Sequence, residues 1–508
     1  MFNQRNLLLA SVFVVAASGL VYELIAGAIS SYLLGDAVTQ FSLVIGIFLS
    51  AMGVGSYLVQ FVKKDLLTLF VKLELWVSLV GGISSLIIFA TSAFLHQAFL
   101  PVFYFLCFCI GALVGAEIPL LIRILKEEEQ VEKALSNVLA LDYIGALGGS
   151  IVFPFIVLPM IGISRASVVF GVLNLGVAWI GVQMLPQKQA MRLRVMFVGV
   201  GLILGAAFFS SNQLVYFFED MLYQDKIIYS KDTKYQRIIL TRWKHDIRLY
   251  LNGHIQFSSV DEARYHESLV HPAMSAMLEP PKEILVLGGG DGLVVRELLK
   301  YDSVQQIDLV DIDPTITALA KERPELRYLN QDSLFSEKLN IYHQDAMMFL
   351  QDTEQFYDLV VIDLPDPNTE ALSKLYSTSF YALVYRRLSQ DGMMVTQATS
   401  PFFAKKAFWC IASTVEASFG EQVSGGKMYP YHVNVPSFGE WGFVLGAKRE
   451  LDWSKVAVSV PTRFLTTERL YPLFVFGKDI ERVELAPNLL LDPSLYRHYR
   501  EGWQHFNQ

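Results

Sequence analysis

The first 211 residues of this 508-residue chain carry seven apolar runs, each long enough to cross a lipid bilayer. A hydrocarbon core about 30 Å thick requires about 20 helical residues. The runs lie near 7–33, 41–62, 74–95, 98–122, 138–160, 163–185 and 193–211. That pattern confines the N-terminal part to an all-α polytopic membrane domain spanning 1–211. The first run is too long for a cleaved signal peptide and lacks a small-residue cleavage site, so it reads as a retained helix. Glycines inside the runs (Gly46, Gly53, Gly55, then Gly145, Gly148, Gly149) permit close helix packing. After about residue 212 charged and apolar residues alternate, as in an ordinary globular domain.

Basic residues gather on one side of the predicted bundle: Arg5; Lys63, Lys64 and Lys72; Arg123, Lys126 and Lys133; Lys188, Arg192 and Arg194. Arg165 stands alone on the other side. The positive-inside rule then puts the N-terminus in the cytoplasm of a multi-pass cell-membrane protein. Seven crossings place the C-terminal half outside, whereas a substrate made in the cytoplasm would require it inside; both placements stand at this point. Acids within the runs, Glu23, Glu117 and Asp142, cost about 2.5–3.5 kcal/mol each on insertion scales. They read either as a cation route or as protonated or interhelically bonded side chains. The net charge of −8 modestly favours cationic partners, and no basic patch suits a nucleic acid. Cys107, Cys109 and Cys410 have neither zinc spacing nor a disulfide framework, so no metal is expected.

From about residue 226 short strands appear at Ile238–Leu240 and Ile247–Leu251, the second running into an Asn252-Gly253 turn. This β-rich part occupies 212–280 and includes a helix from about Asp261 to Met277. Strands and helices then alternate: Glu283–Leu287, a helix from Leu293, Gln306–Asp311, a helix from Pro314, Leu339–His343 and Leu359–Asp363. That order predicts a parallel, doubly wound sheet, an α/β Rossmann-like domain of the methyltransferase type over 281–450. The tail, 451–508, carries no legible motif. Capping the domain, self-association into a homo-oligomer, or contact with the lipid bilayer would each account for it.

Candidate site residues fall at the carboxyl ends of these strands. Gly288, Gly289, Gly290 and Gly292 let the backbone approach a ligand closely. Asp311, twenty residues beyond Asp291, is placed to bind ribose hydroxyls, and Asp345 to accept from an adenine amino group. Asp291 in the glycine turn would repel a pyrophosphate and fits a donor bearing an ammonium and a sulfonium. Asp363 and Asp366, three apart in a proline-rich loop, suit an amine acceptor. An alkylamine, with a pKa near about 10.4, is mostly protonated at neutral pH, so attack on carbon needs a carboxylate to take its proton.

With those residues in order, the C-terminal half resembles the spermidine synthases, the polyamine aminopropyltransferases, and the whole chain resembles their membrane-attached bacterial branch. The resemblance covers about 226–448. It rests on Lys234-Tyr235-Gln236, Leu251–Gln256, Asp261-Glu262, Tyr265-His266-Glu267, Gly288–Gly292, Val310–Asp313, Gln344-Asp345, Asp363–Pro367 and Leu375-Tyr376-Ser377. It implies transfer of the aminopropyl group of decarboxylated S-adenosylmethionine to an amine such as putrescine, with no tightly bound cofactor. It implies that Gln236, Asp311, Asp345 and Ala346 hold the nucleoside. Tyr265, His266, Asp291, Asp366 and Tyr431 would hold the amine and aminopropyl groups, with Tyr429 as a rival to Tyr431, and Asp363 would accept the proton. The chain departs from the family in having Leu364-Pro365 between the loop acids, Asp311 in place of a glutamate, and Thr369-Glu370 in place of a glycine-proline. Two other readings remain beside this one: methyl transfer from S-adenosylmethionine, and a polyamine-binding transporter or sensor with a non-catalytic synthase-like half.

Overall fold

The structure, a computed structural model, describes residues 4–34, 37–95, 98–126, 130–223, 225–419 and 426–504. It divides into two compact units, Met1–Ile227 and Ile228–Gln508.

The first unit is helical throughout: α1 (Gln4–Leu34), α2 (Ala37–Val59), α3 (Leu66–Gly82), α4 (Ser84–Phe94), α5 (Phe99–Leu125), α6 (Val131–Val152), α7 (Leu158–Gln183) and α8 (Gln187–Tyr223). Among the described residues, five helical runs are long and apolar enough to cross a membrane, and the bent pair α3–α4 adds a sixth. Two differences from the sequence reading follow. The run expected at 74–95 is two helices meeting at 44°. Those expected at 138–160 and 163–185 form one 53-residue stretch, Val131–Gln183. It leaves helical geometry at Gly162, whose φ of 76° and ψ of 171° favour glycine. Helix α8 also passes the expected domain end at 211, because no glycine or proline follows Gly205 before Tyr223.

Glycine does bring these helices together, though not at every expected position. A Cβ on Gly55 would lie 1.9 Å from the Ala112 carbonyl oxygen, and one on Gly145 2.4 Å from that of Phe13. Gly46 and Gly53 face open space instead. Pro119 inside α5 has no N–H for the Gly115 carbonyl, and the Ser56 hydroxyl of α2 donates to that oxygen at 2.7 Å. Glu117 is fully buried, while Glu23 and Asp142 are half-buried. The sequence reading passed over Glu74, which stood at the edge of an expected span. It too is fully buried, and its carboxyl meets that of Glu117. Beside them, the Asn174 amide donates to the Tyr22 hydroxyl at 3.4 Å.

The second unit opens with a four-stranded sheet: β1 (Lys226–Asp232), β2 (Arg237–Trp243), β3 (Asp246–Leu251) and β4 (His254–Ser258). Asn252 and Gly253, with φ of 51° and 83°, make the tight turn between β3 and β4. Helix α9 (Glu262–Ala276) leads into a seven-stranded sheet ordered β10-β11-β9-β8-β5-β6-β7. Its strands are β5 (Glu283–Gly288), β6 (Gln306–Val310), β7 (Leu339–Tyr342), β8 (Tyr357–Asp363), β9 (Leu388–Gln397), β10 (Lys427–Val435) and β11 (Gly439–Ala447). The first five are parallel, as expected. The expectation of a wholly parallel sheet is corrected at one edge, where β11 runs antiparallel to β9 and β10 to β11. Only a short turn joins β10 to β11, and a hairpin must be antiparallel.

From β5 the chain winds outward through β6 and β7, then returns to place β8 on the other side of β5. The order therefore reverses between β5 and β8, and a crevice opens at their carboxyl ends. Gly288 and Asp363 are register partners there. The tail belongs to this unit's core. Leu465, Leu470 and Leu473 pack on one sheet face, Leu495 and Tyr499 on the other.

Candidate active site

The crevice is built from strand ends and the turns that follow them. A Cβ on Gly288 would lie 2.0 Å from the Asp363 carbonyl oxygen, and one on Gly290 2.5 Å from Asp311 Oδ2, so neither position accepts a side chain. The Gly289 amide donates to the Asp363 carbonyl at 3.1 Å, and the Gly290 amide to Asp311 Oδ2 at 3.1 Å. The turn thus ties both acids to its backbone.

Asp363, the last residue of β8, accepts from the Tyr265 hydroxyl of α9 at 2.6 Å. Tyr265 is nearly buried and packs edge-on against His266, with ring centroids 5.0 Å apart. His266 Nδ1 is 2.8 Å from the Glu262 carbonyl and 3.1 Å from Glu262 Oε2. Both partners are acceptors, so Nδ1 carries a proton. Asp291 accepts from the Leu293 amide at 2.9 Å, and Asp291, Asp363 and His266 feel one another's charge. Burial pushes the Asp363 carboxyl up to about 6, with His266 pulling the other way and Asp291 adding to the rise. Burial likewise raises Asp291. Burial also disfavours the His266 cation, but the Glu262 hydrogen bond and charge outweigh it and raise that imidazole.

The proline-rich loop is held along its length. The Tyr376 hydroxyl faces the carbonyls of Leu364 and Pro365 at 3.2 and 3.0 Å. Gln397, at the end of β9, donates to the Leu364 carbonyl at 2.8 Å. Thr399 Oγ1 donates to Asp366 Oδ2 at 3.2 Å, from a left-handed backbone with φ of 56°. Such a conformation costs a β-branched residue about 1–3 kcal/mol. It is held by the Gly442 amide on the Thr399 carbonyl (2.7 Å) and the Gln397 side chain on the Thr399 amide (3.0 Å). Burial pushes Asp366 up to about 6, and the hydroxyls of Tyr499 and Thr399 with the Gln397 amide temper the rise without a counter-charge.

The nucleoside residues cluster beyond the glycine turn. Asp311 accepts from the Asp313 amide at 2.9 Å as well as from Gly290, and burial pushes it up to about 6. Gln236 donates to Asp313 Oδ2 at 3.2 Å, which ties the first sheet to the end of β6. Asp345 caps the helix Ala346–Asp352, accepting from the amides of Met347 (2.8 Å) and Met348 (3.2 Å), with Lys374 Nζ at 3.1 Å. Burial opposes ionisation there, but Lys374 and the two amides outweigh it and hold the carboxyl low. Ala346, at the first helical position, is buried.

Tyr431 requires a correction. It is fully buried, its hydroxyl donates to the Ser268 carbonyl at 2.8 Å, and its ring stacks on Phe443 at 5.3 Å. Phe443 in turn packs on Tyr265 at 5.4 Å. Tyr431 therefore backs Tyr265, with its hydroxyl turned to the Ser268 carbonyl. Its rival Tyr429 accepts from the Leu451 amide at 2.7 Å. A late strand carries both tyrosines, but its register on β11 turns them into the core.

Sequence reasoning missed Gln397 and Thr399, and gave Tyr376 and Glu262 no role. Gln397 was within reach of it, as the polar end of the apolar run Met393–Val395. A cavity of about 1130 Å³, lined by Arg242, Lys244, Lys300 and Arg463 among others, contains none of the candidate site residues. Among the described residues no three His, Cys, Asp or Glu side chains are grouped as a metal ion requires.

Residues 262–455 match the family model of the spermine/spermidine synthase domain. A polyamine aminopropyltransferase of Leptospira interrogans is 46% identical over 98% of this chain and 99% of its own length. That of Oceanobacillus iheyensis is 40% identical over 99% of both chains. That of Mycobacterium tuberculosis strain H37Rv is 36% identical over 98% of this chain and 97% of its own. Among solved structures, spermidine synthase from Thermotoga maritima aligns with a TM-score of 0.44 and 22% identity over 49% of this chain and 84% of its own. Near-full-length identity of this degree replaces methyl transfer and passive binding with aminopropyl transfer as the chemistry: the chain belongs to the polyamine aminopropyltransferases of the spermine/spermidine synthase family.

Proposed function

We propose that the enzyme transfers the aminopropyl group of decarboxylated S-adenosylmethionine to a small polyamine precursor such as putrescine, with Asp363 as the proton acceptor. One observation carries the assignment of roles. Asp363 and Asp366 stand at the switch point held by neutral donors (Tyr265 on one, Thr399 on the other), and among the described residues no protein cation hydrogen-bonds to either. A buried acid without a counter-ion binds an incoming ammonium strongly, because each compensates the other's desolvation.

In the reaction the nucleoside sits beyond the glycine turn. Asp311 faces the ribose, Gln236 contacts the nucleoside, Asp345 with Ala346 holds the base, and Asp291 takes the donor's ammonium. Asp366 holds the distal ammonium of the acceptor. The proximal nitrogen gives its proton to Asp363, and its lone pair attacks the aminopropyl carbon bonded to sulfur. The C–S bond breaks with its electron pair going to sulfur, leaving neutral methylthioadenosine, while the new C–N bond completes the product. His266, Asp291 and Asp363 together carry a net negative charge once His266 is protonated, so the cluster still attracts cations. Orientation and a preorganised field supply the acceleration.

Multi-pass attachment to the cell membrane is part of the same reading, supported by the apolar helices of the first unit. The stretch Val131–Gln183 would be about 80 Å long as one helix, far beyond a bilayer core, and therefore counts as two crossings separated at Gly162. With the bent pair as one, the crossings number seven. Retention of the chain in carbonate-washed membranes, with release by detergent alone, tests this; release by carbonate contradicts it. The catalytic reading is tested by amine-dependent release of methylthioadenosine from the detergent-purified chain supplied with the decarboxylated donor.

A further inference from the structure

The cavity of about 1130 Å³ outside the crevice gathers basic side chains on a chain whose net charge is −8. Six of its lining side chains are Lys or Arg, and three are Asp or Glu. They come from four separated segments: the β2–β3 turn, the end of the helix Leu293–Leu298, the helix Pro324–Asn330, and the tail at Arg463. The tail is pinned where it joins the wall. The amides of Arg463, Phe464 and Leu465 donate to the Glu267 carboxylate at 2.6, 2.8 and 2.8 Å, and Lys300 Nζ donates to the Pro461 carbonyl at 3.0 Å. The backbone that brings Arg463 to the cavity is therefore fixed.

The acids of the wall do not use up its cations. Glu297 meets Arg296 and Lys300, and Asp332 meets Arg327. Arg463 gives one nitrogen to Glu262 behind the wall at 2.8 Å and keeps more than half of its side chain exposed. Lys244 is exposed and, among the described residues, meets no carboxylate; its ammonium lies 4.6 Å from the centre of the Trp243 ring. Its backbone is left-handed, with φ of 54°, a conformation that glycine or asparagine adopts more easily. Unneutralised cations lining one cavity repel one another, and a bound anion relieves that repulsion. Tyr328 lines the same cavity with its side chain 84% exposed. An ammonium and a guanidinium suit phosphate oxygens, and an open aromatic ring suits the face of a base. Ligand pockets commonly measure about 300–1,000 Å³, so this one has room for base, sugar and phosphates together. We propose that the cavity binds an organic polyphosphate of the nucleoside di- or triphosphate class, with Lys244 and Arg463 on the phosphates and Tyr328 against the base. The site is distinct from the crevice, where Asp291 in the glycine turn repels a pyrophosphate. Arg296 and Arg463 both bond Glu262, which holds His266, so the two sites share a wall without sharing a ligand.

The test is calorimetric binding to the full-length protein in detergent at fixed ionic strength, with saturating decarboxylated donor present to occupy the crevice. The probes are adenosine triphosphate, inorganic pyrophosphate and inorganic phosphate. The triphosphate is expected to bind in the presence of the donor, about 10-fold or more tighter than inorganic phosphate. Lys244→Glu is expected to weaken both the triphosphate and pyrophosphate about 10-fold or more. Tyr328→Ala is expected to weaken the triphosphate about 5-fold or more and to leave pyrophosphate unchanged. Both side chains are exposed, so an unaltered melting temperature serves as the folding control. No binding of the triphosphate, its displacement by the donor, or equal affinity in wild type and Lys244→Glu overturns the proposal. Pyrophosphate bound as tightly as the triphosphate, with Tyr328→Ala without effect on either, overturns the assignment of a nucleoside.

Discussion

The second unit contains two sets of buried acids that the same chain treats in opposite ways. Glu262 and Glu297 are saturated with cations. Arg296 reaches Glu262 through both terminal nitrogens at 3.1 and 2.8 Å and Glu297 through Nε at 2.8 Å. Arg463 joins Glu262 at 2.8 Å, and His271 and Lys300 join Glu297 at 2.8 and 2.6 Å. Burial alone would raise these carboxyls, but the His and Arg partners of Glu262, and the His, Arg and Lys partners of Glu297, bring each down to about 2. Asp366 is buried beside hydroxyls and an amide, and Asp363 beside the Tyr265 hydroxyl, where the pull of His266 is opposed by Asp291; both rise to about 6. The difference separates scaffold from site: one set is satisfied by the protein, the other waits for a cation from outside. Glu262 bridges the two, since it also holds His266 on Nδ1.

The largest effect expected from disturbing this contrast falls on the saturated set. Glu262→Gln takes from Arg296 one of its two carboxylates and leaves His266 without its charged partner, so denaturant unfolding should show a loss of about 3–5 kcal/mol. Asp366→Asn should raise the amine KM about 10- to 100-fold while leaving donor KM near wild type, as measured by steady-state release of methylthioadenosine. For pH, the signs differ between the sets. Glu262 and Glu297, depressed from their ordinary value, add stability above about pH 4.5 that is lost as pH falls toward about 2. Asp363, Asp366 and Asp311, raised to about 6, favour the protonated folded form, so they cost stability as pH rises from about 4 through 6. An amine cation reverses that cost. Putrescine should therefore raise the melting temperature more at about pH 7 than at about pH 5, and kcat/KM should fall about tenfold per unit below about pH 6 as Asp363 protonates. The smallest effect concerns the strained support. Thr399→Gly should relieve about 1 kcal/mol of backbone strain while raising the amine KM, which calorimetric melting and kinetics together would read.

How much of this was legible in the sequence depended on distance along the chain. The glycine turn, Asp291, Asp311, Asp345, Asp363 and Asp366 could be located because each follows a strand whose apolar pattern is local. The sheet's parallel part was legible for the same reason. Its antiparallel edge was not, because β9 to β11 were not resolved from the late sequence and its expected tyrosine landed in the core. Thr399 lies 33 residues beyond Asp366 and meets it only through the fold. No local spacing encodes such a meeting. Glu74 was missed for a different reason: hydropathy sets the edge of a run by composition, and the helix extends past that edge to bury the side chain beside Glu117.

The central claim is that the cation-poor pair is where an amine loses its proton. It is tested most directly by single-turnover release of methylthioadenosine from wild type and Asp363→Asn, each saturated with the decarboxylated donor and putrescine. The account predicts amine-dependent release from wild type, and a rate lower by about 10²-fold or more in the variant with donor binding retained. Equal rates from the two proteins, with both shown to bind the donor, would contradict it.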